Sequence, residues 1–415
     1  KEGERKMNLV ALKELDEGLE YLSFLHSNNK GFITRAEMKE GYKQWHYKYK
    51  ELILQDLKSE NVYISLNTFY STYRRLEFLK ELNCLFIDLD YYKTGFNKEQ
   101  ILMDLEENYF NKSIPTPNRI IDSGRGLYLI WKIETVPSQA LPLWKAIEEY
   151  LYKVLKTFGA DRQALDPTRV LRVVGSVNSK SKSEVKVLDE YNYIYTLREI
   201  QSEFLPDLEE RKAKTKGRKK KVRYIHDERN LYLARIHDIT KLCELRDYDL
   251  KGHRELILFL YRYYLCYFLE DTEKALNDTL ELNSMFRLPL ASNEVKRATR
   301  SAETVFLSKN KDYRYKNTTL INLLEISESE ERFMTTIISN KEYKRRENIR
   351  VKKAYQEKLK VEGKLTEKEK LSQRRAKIKD LLAEGLKQKD ICLQLDISKP
   401  TYIRDRNYLK EQGLI

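Results

Sequence analysis

The chain reads as an α+β domain followed by an all-α domain and a helix-turn-helix, and three observations predict that order. Short apolar runs of strand length are interleaved with helical patterns from Asn61 to about Leu208. Leu, Tyr and Phe then recur at helical spacing over residues 228–308. Residues 371–415 break into three short helical patterns, separated by Gly385 and by Asp396-Ile397. A chain of 415 residues has room for more than one core.

Residues 8–58 place apolar and charged positions at helical spacing with a break at Asn28-Asn29-Lys30-Gly31, which predicts two helices in a segment (1–58) packed on the α+β domain. Within that domain, taken as 59–208, strands are expected at Val62-Tyr63-Ile64-Ser65-Leu66, Cys84-Leu85-Phe86-Ile87, Arg119-Ile120-Ile121, Leu127-Tyr128-Leu129-Ile130-Trp131 and Val170-Leu171-Arg172-Val173-Val174. A further strand is expected at Glu184-Val185-Lys186-Val187-Leu188, and helices over 98–109 and 142–158. Residues 209–227 read as a basic linker. The helical domain covers 228–340 with a cap at Ser292 or Asn293, and a charged helical spacer covers 341–370. In the last unit Ile378, Leu381 and Leu382 mark one helix and Ile391, Leu393 and Leu395 a second. Ser398 opens a third, with Pro400 in its first turn and Arg404, Arg406 and Lys410 along it.

Seventy-eight Lys and Arg stand against 64 acids, a net charge of +14. The excess is clustered: nine of the thirteen residues 211–223 are basic and none is acidic, and residues 341–415 hold 22 bases and 12 acids. Clustered charge points to a polyanionic partner; a solvated surface is the plainer alternative. The four cysteines are too scattered for a CxxC pair, which argues against a zinc ribbon or a disulfide framework and for a reducing, cytoplasmic setting. No uninterrupted apolar window reaches membrane-spanning length, so no membrane association is expected. The chain opens on Lys1, and Met7 is the expected start.

Candidate chemistry begins at Phe86-Ile87-Asp88-Leu89-Asp90. On a strand, carboxylates two apart share a face. Two that close repel unless a divalent cation or a basic neighbour holds both ionised, although a turn that merely ends the strand would look similar. Asp122-Ser123-Gly124-Arg125-Gly126 lies between two expected strands. Its N–H groups, the Ser123 hydroxyl and Arg125 suit phosphate oxygens, and a short Gly hairpin is the alternative. Asp161 and Asp166 offer a third carboxylate. Arg172 falls inside an apolar strand, three residues after Arg169, and needs an anionic partner, either a structural Asp or a triphosphate.

Three motifs, Phe86-Ile87-Asp88-Leu89-Asp90, the run from Ser123-Gly124-Arg125-Gly126 through Tyr128 to Trp131, and Asp161 with Asp166-Pro167-Thr168-Arg169 through Asn178 to Lys180, resemble those of the archaeo-eukaryotic primase superfamily. The last is the most specific and resembles the form in replication proteins of Gram-positive plasmids, phages and integrated elements. The resemblance covers roughly residues 60–190. It implies a primase-polymerase, RRM-like mixed sheet core. Asp88, Asp90 and Asp161 would be catalytic and hold two Mg²⁺ or Mn²⁺ ions. Ser123, Gly124, Arg125, Tyr128, Arg172 and Lys180 would contact a nucleoside triphosphate, and Asp166 would orient Arg169 or Arg172. Tyr128 fills a position where the superfamily commonly has His, and a phenol offers no positive charge to phosphate.

The segments at Lys251-Gly252-His253-Arg254, Leu282-Asn283 and Ser292-Asn293-Glu294-Val295 resemble the helical domain that follows such cores. Tyr313 and Tyr315 would stack on single-stranded bases or lie on an ordinary surface. In the last unit Ser398, Lys399, Thr401, Tyr402 and Arg404 are the candidates for a DNA major groove; a plain three-helix module is the alternative. The expected function is priming or extension of DNA at an origin bound by that unit. The expectation from a different class is a catalytically inactive initiator or copy-number regulator. No GxxxxGK[ST] loop is present, so unwinding would fall to a separate helicase. No His-x-His pair is present to support a nicking initiator.

Overall fold

The computed structural model describes residues 17–205, 225–308, 313, 315–361 and 365–415. The basic stretch at 211–223 lies outside the described residues. The chain divides into two compact units, Lys1–Ile337 and Ile338–Ile415.

The first unit opens with helix α1 (Glu17–His26), which buries Tyr21, Leu22, Leu25 and His26. His26 Nε2 lies 2.9 Å from the Ser65 carbonyl. Burial, helped by Lys132, lowers its pKa to about 3, so the imidazole stays neutral. The second helix expected before residue 58 is instead a hairpin, β1 (Ile33–Met38) and β2 (Tyr42–Tyr47), turned at Gly41 with φ +104°. Only a short helix at Tyr49–Leu52 follows. β1 also pairs with β3 (Val62–Ser65), and Ile33, Thr34, Arg35 and Ala36 are all buried. A strand covered on both faces shows no alternation, and its charges then mimic a helical period.

The expected strands at Val62, Cys84, Arg119, Leu127 and Val170 are present. After β4 (Thr68–Phe69) and β5 (Leu79–Leu89) come α2 (Lys98–Asp104), β6 (Arg119–Asp122), β7 (Leu127–Pro137) and α3 (Leu141–Leu155). Then follow β8 (Val170–Arg172), β9 (Val177–Asn178), β10 (Ser183–Glu184), β11 (Lys186–Glu190) and α4 (Leu197–Phe204). The strands form sheets of order β2-β1-β3-β8 and β11-β6-β7-β5-β4, with a small β10-β9 pair. Ladders between these strands are antiparallel rather than mixed; parallel pairing is confined to single bridges such as Glu60 with Val177.

Residues 84–87 of β5 are fully buried because α3 covers them. Trp144 Nε1 donates to the Cys84 carbonyl at 2.8 Å, and the Phe86 N–H donates to Glu148 Oε1 at 2.7 Å. Burial pushes the Glu148 carboxyl well up, which keeps it a neutral acid.

The helical segment comprises α5 (Ile225–Leu245), α6 (Arg254–Leu269), α7 (Thr272–Ser284), α8 (Ser292–Ser308) and α9 (Asn317–Leu323). α8 includes Ser292 and Asn293 in its first turn, so neither is the residue before the helix. The sequence separates this segment from the sheets, whereas the fold joins them in one unit. Tyr261 of α6 donates to the Glu77 carboxylate at 3.0 Å, and Arg75, only 1% exposed, pairs with Glu77 at 3.1 Å and reaches Met285 Sδ at 3.0 Å.

At the far end of the unit Glu330 accepts from Arg246 Nε at 2.7 Å. Burial raises the Glu330 pKa, but the bonds from Arg246 and Ser327 outweigh it and bring it down to about 2. A depressed carboxylate stabilises the fold above the unfolded pKa and loses that contribution as pH falls toward 2. Glu330→Gln is therefore expected to cost about 1–2 kcal/mol at pH 7. The gap in Tm should narrow as pH is taken from about 4 toward 2; a constant gap would assign the loss to packing instead.

The second unit contains α10 (Asn340–Val361), α11 (Glu367–Ala383), α12 (Gln388–Gln394) and α13 (Lys399–Glu411). Ile378, Leu381, Ile391, Tyr402 and Leu409 form its core. Gly385 and Asp396, both at positive φ, turn the chain between the last three helices. Ser398 occupies the position before α13, but its hydroxyl lies 2.9 Å from Thr401 Oγ1 instead of capping a backbone N–H. Asp405 is fully buried and accepts from Arg374 Nε at 2.7 Å and Arg375 Nε at 2.9 Å.

Candidate active site

The carboxylate pair stands at the end of β5, where Asp88 is opposite Tyr128 and Leu89 opposite Leu127 of β7. The chain leaving α3 returns to this strand end. Gly159, at φ +85°, makes the turn, and a Cβ there would sit 2.8 Å from the Asp90 carbonyl. The Asp90 N–H donates to the Gly159 carbonyl at 2.9 Å and the Asp161 N–H to the Asp88 carbonyl at 2.8 Å. Main-chain pairing thus places Asp161 beside Asp88 and Asp90.

The side chains face nearby cations. Lys93 Nζ is 2.5 Å from Asp90, and Arg169 is 3.7 Å from Asp161. Among the described residues no three His, Cys, Asp or Glu side chains converge as a ready-made metal site. Burial, and then the charge of Asp90, pushes the Asp88 carboxyl up to about 7; Asp161 adds to the shift and Arg169 and Arg172 oppose it. The crowding leaves Asp88 under-compensated despite these cations, and carboxylates are the residue type a divalent cation takes as ligands.

Tyr128 is buried and its hydroxyl is within hydrogen-bonding reach of Arg172 and Ser123. Burial, and then the charge of Asp88, pushes its pKa up to about 12, which keeps the phenol protonated. Arg172 reaches the Tyr63 hydroxyl as well and lies 4.9 Å from the centre of that ring. Its Nε is buried and has no hydrogen-bond partner among the described residues. An orphaned guanidinium N–H close enough to Asp88 to act on its charge is available to an anionic group.

The turn between β6 and β7 differs from the expected phosphate cradle in one respect. The Ser123 hydroxyl closes its own turn, donating to the Gly126 carbonyl at 3.0 Å and lying 3.2 Å from the Gly126 N–H, so it is not directed at a ligand. Gly124, at φ +90°, packs against Ser181 and Ser183, which brings the exposed Lys180 and its turn beside the glycine loop. Arg125 is exposed and stacks 4.5 Å above the Tyr92 ring, next to the Asp90 loop. Asp166 does not orient either arginine. Its carboxylate is taken by the Thr168 N–H and hydroxyl, at 2.8 and 2.9 Å, because the Pro167 turn brings that residue back onto it.

Two residues quoted in the motifs gain specific contacts here. A Cβ on Gly126 would lie 2.6 Å from the Leu89 carbonyl and 3.5 Å from Asp88 Oδ1. Asn178 donates to the Ser123 carbonyl at 2.7 Å and anchors the loop. The glycine was visible; its neighbour across the sheet was not.

In the second unit Ser398, Lys399 and Arg404 are exposed and Thr401 is partly so. Tyr402 is only 2% exposed and belongs to the core. It cannot enter a groove, because it shares the inward face of α13 with Asp405 and Leu409.

This is an α+β protein with an acidic strand end walled by arginines. No family model matches the chain. A replication protein of Clostridium perfringens is 65% identical over 396 residues, which cover 95% of this chain and 97% of that protein. The chain belongs to the family of that replication protein. Two solved structures align more distantly. The AEP domain of the cyanophage S-2L primase-polymerase aligns at 15% identity and TM-score 0.35, over 46% of this chain and 97% of that one. The primase RepB′ aligns at 11% and TM-score 0.31, over 70% and 93%.

Proposed function

We propose that this replication protein performs metal-dependent, template-directed nucleotidyl transfer on its first unit and binds duplex origin DNA with its second. The carrying observation is the main-chain pairing that sets Asp161 beside Asp88 and Asp90, facing Arg172. Asp88, Asp90 and Asp161 would hold the ions, which when bound would supply Lewis-acid activation of a 3′-hydroxyl and neutralise the departing pyrophosphate. Arg172 would receive a triphosphate oxygen through its free N–H. Tyr128 would hold the Arg172 guanidinium in place as a neutral phenol. Arg125 and Lys180, both exposed, would add charge at the entrance. In the second unit Lys399, Thr401 and Arg404 would meet the duplex. A separate helicase would open it.

The test is incorporation of labelled dNTPs or NTPs by the full chain on primed single-stranded DNA with Mg²⁺ or Mn²⁺. Absence of product with either ion and either nucleotide would overturn the enzymatic reading. The second reading, an inactive DNA-binding initiator or copy-number regulator, draws on the engagement of Asp90 with Lys93 and Asp161 with Arg169 and on Tyr128 in place of His.

Tyr128→Phe is expected to lower incorporation about tenfold, the loss of roughly one charge-assisted hydrogen bond, mainly as a rise in KM for the nucleotide. An unchanged KM would remove Tyr128 from the positioning of Arg172.

A further inference from the structure

Away from the carboxylates, α8 carries a groove of about 630 Å³ lined by Arg297, Arg300, Ser301, Thr304, Val305, Ser308 and Tyr313. That volume falls in the range of ligand pockets. Counted from Arg297, Arg300 and Ser301 lie three and four residues on, Thr304 seven and Ser308 eleven, so they share one stripe; Val295, Thr299 and Ala302 turn inward, and the largely buried Val305 borders both. Arg297 and Arg300 are exposed and have no carboxylate partner among the described residues. Glu303, the acid closest in sequence to the stripe, is turned to Arg262 at 2.5 Å. The stripe therefore presents two uncompensated positive charges and the Ser301 hydroxyl, while the Thr304 and Ser308 hydroxyls donate to the Arg300 and Val305 carbonyls and keep only acceptor capacity.

One wall is aromatic. Tyr313 lies 5.8 Å from Phe259 and 5.9 Å from Tyr263, ring centre to ring centre, and its N–H donates to the Tyr263 hydroxyl at 3.1 Å. Tyr315 stacks on it at 5.8 Å with an interplanar angle of 25°. These contacts hold the Tyr313 ring in place, yet it remains 39% exposed. A preordered aromatic face beside unpaired arginines and hydroxyls matches the chemistry of a nucleotide strand, with bases on the ring and phosphates on the cations. A duplex fits less well, because its bases are stacked on one another and offer no free face.

We infer that this groove binds single-stranded DNA, at a site separate from the carboxylates. Arg297 and Arg300 would contact successive phosphates, and Tyr313 would stack on a base. The inference is independent of catalysis: failure to incorporate nucleotides leaves it standing, and its own failure leaves the carboxylate reading standing.

Fluorescence anisotropy of labelled oligo-dT with the full chain, titrated over a range of NaCl, tests it. R297Q combined with R300Q should weaken binding and make the slope of log K against log salt shallower by about 1.4, from roughly 0.7 per phosphate contact on a single strand. Tyr313→Ala should weaken binding about tenfold, and Tyr313→Phe should restore it. Duplex binding should be unchanged in all three variants. Native affinity and native slope in the arginine and alanine variants would overturn the inference. So would an equal loss on duplex and single strand, which would mark a general electrostatic effect, or a Phe variant no better than Ala.

Discussion

Asp88→Asn is expected to abolish nucleotide incorporation while leaving the first unit at least as stable as it was. The two effects separate because one carboxylate is asked for opposite things. In folding, its charge is a liability: burial and the neighbouring Asp90 push its pKa up to about 7. A folded pKa raised above the unfolded value means that stability declines as pH rises from about 4 through 7. The amide has the same shape and no charge, so at pH 8, without divalent cations, the unfolding midpoint should hold or rise. In the proposed chemistry Asp88 would hold an ion, and losing that oxygen would remove several kcal/mol of transition-state stabilisation, so incorporation should fall by about a thousandfold or more. Retained incorporation would remove Asp88 from the chemistry. A lower midpoint at pH 8 would refute the charge crowding at Asp88.

Asp405→Ala should collapse the second unit and spare the first. Removing the buried acceptor of Arg374 and Arg375 leaves two guanidinium groups without their partner, at a cost of about 3 kcal/mol, the low end of the range for breaking a buried pair. The Arg374 side chain is 34% exposed and that of Arg375 20%, which is why the low end applies. At the usual stability per residue, a unit this small has roughly 4–12 kcal/mol in all. Calorimetry should show one transition moved to markedly lower temperature and one unmoved, with duplex binding lost at the temperature where the second unit melts. A single, unshifted pair of transitions would show that the buried carboxylate matters little.

What was legible follows from where burial leaves a one-dimensional trace. Cys84-Leu85-Phe86-Ile87 reads as a strand because a covered strand is a continuous apolar run. The β1–β2 hairpin did not, because Thr34 and Arg35 are buried as polar residues, and their burial depends on partners far along the chain. Asp88 and Asp90 could be paired by counting two along a strand, whereas the approach of Asp161 depends on the left-handed turn at Gly159. Tyr402 was misplaced for a local reason. Its inward face includes Asp405, and a charge at that position makes a core stripe look like a solvated one until Arg374 and Arg375 are seen against it.

The hydrogen bonds that tie Asp161 to Asp88 belong to the backbone, and this changes what the segment between α3 and Asp161 can tolerate. The exposed Lys156 and Thr157 could be exchanged without moving the third carboxylate; Gly159 could not, nor could Phe158, which is buried against Phe96 and Tyr109. The length of the segment could not change either. Inserting or deleting a single residue between Lys156 and Ala160 would slide the short pairing by one position and turn Asp161 to the opposite face, out of reach of its partners. In this stretch the count of residues, more than their identity, keeps the acidic site together.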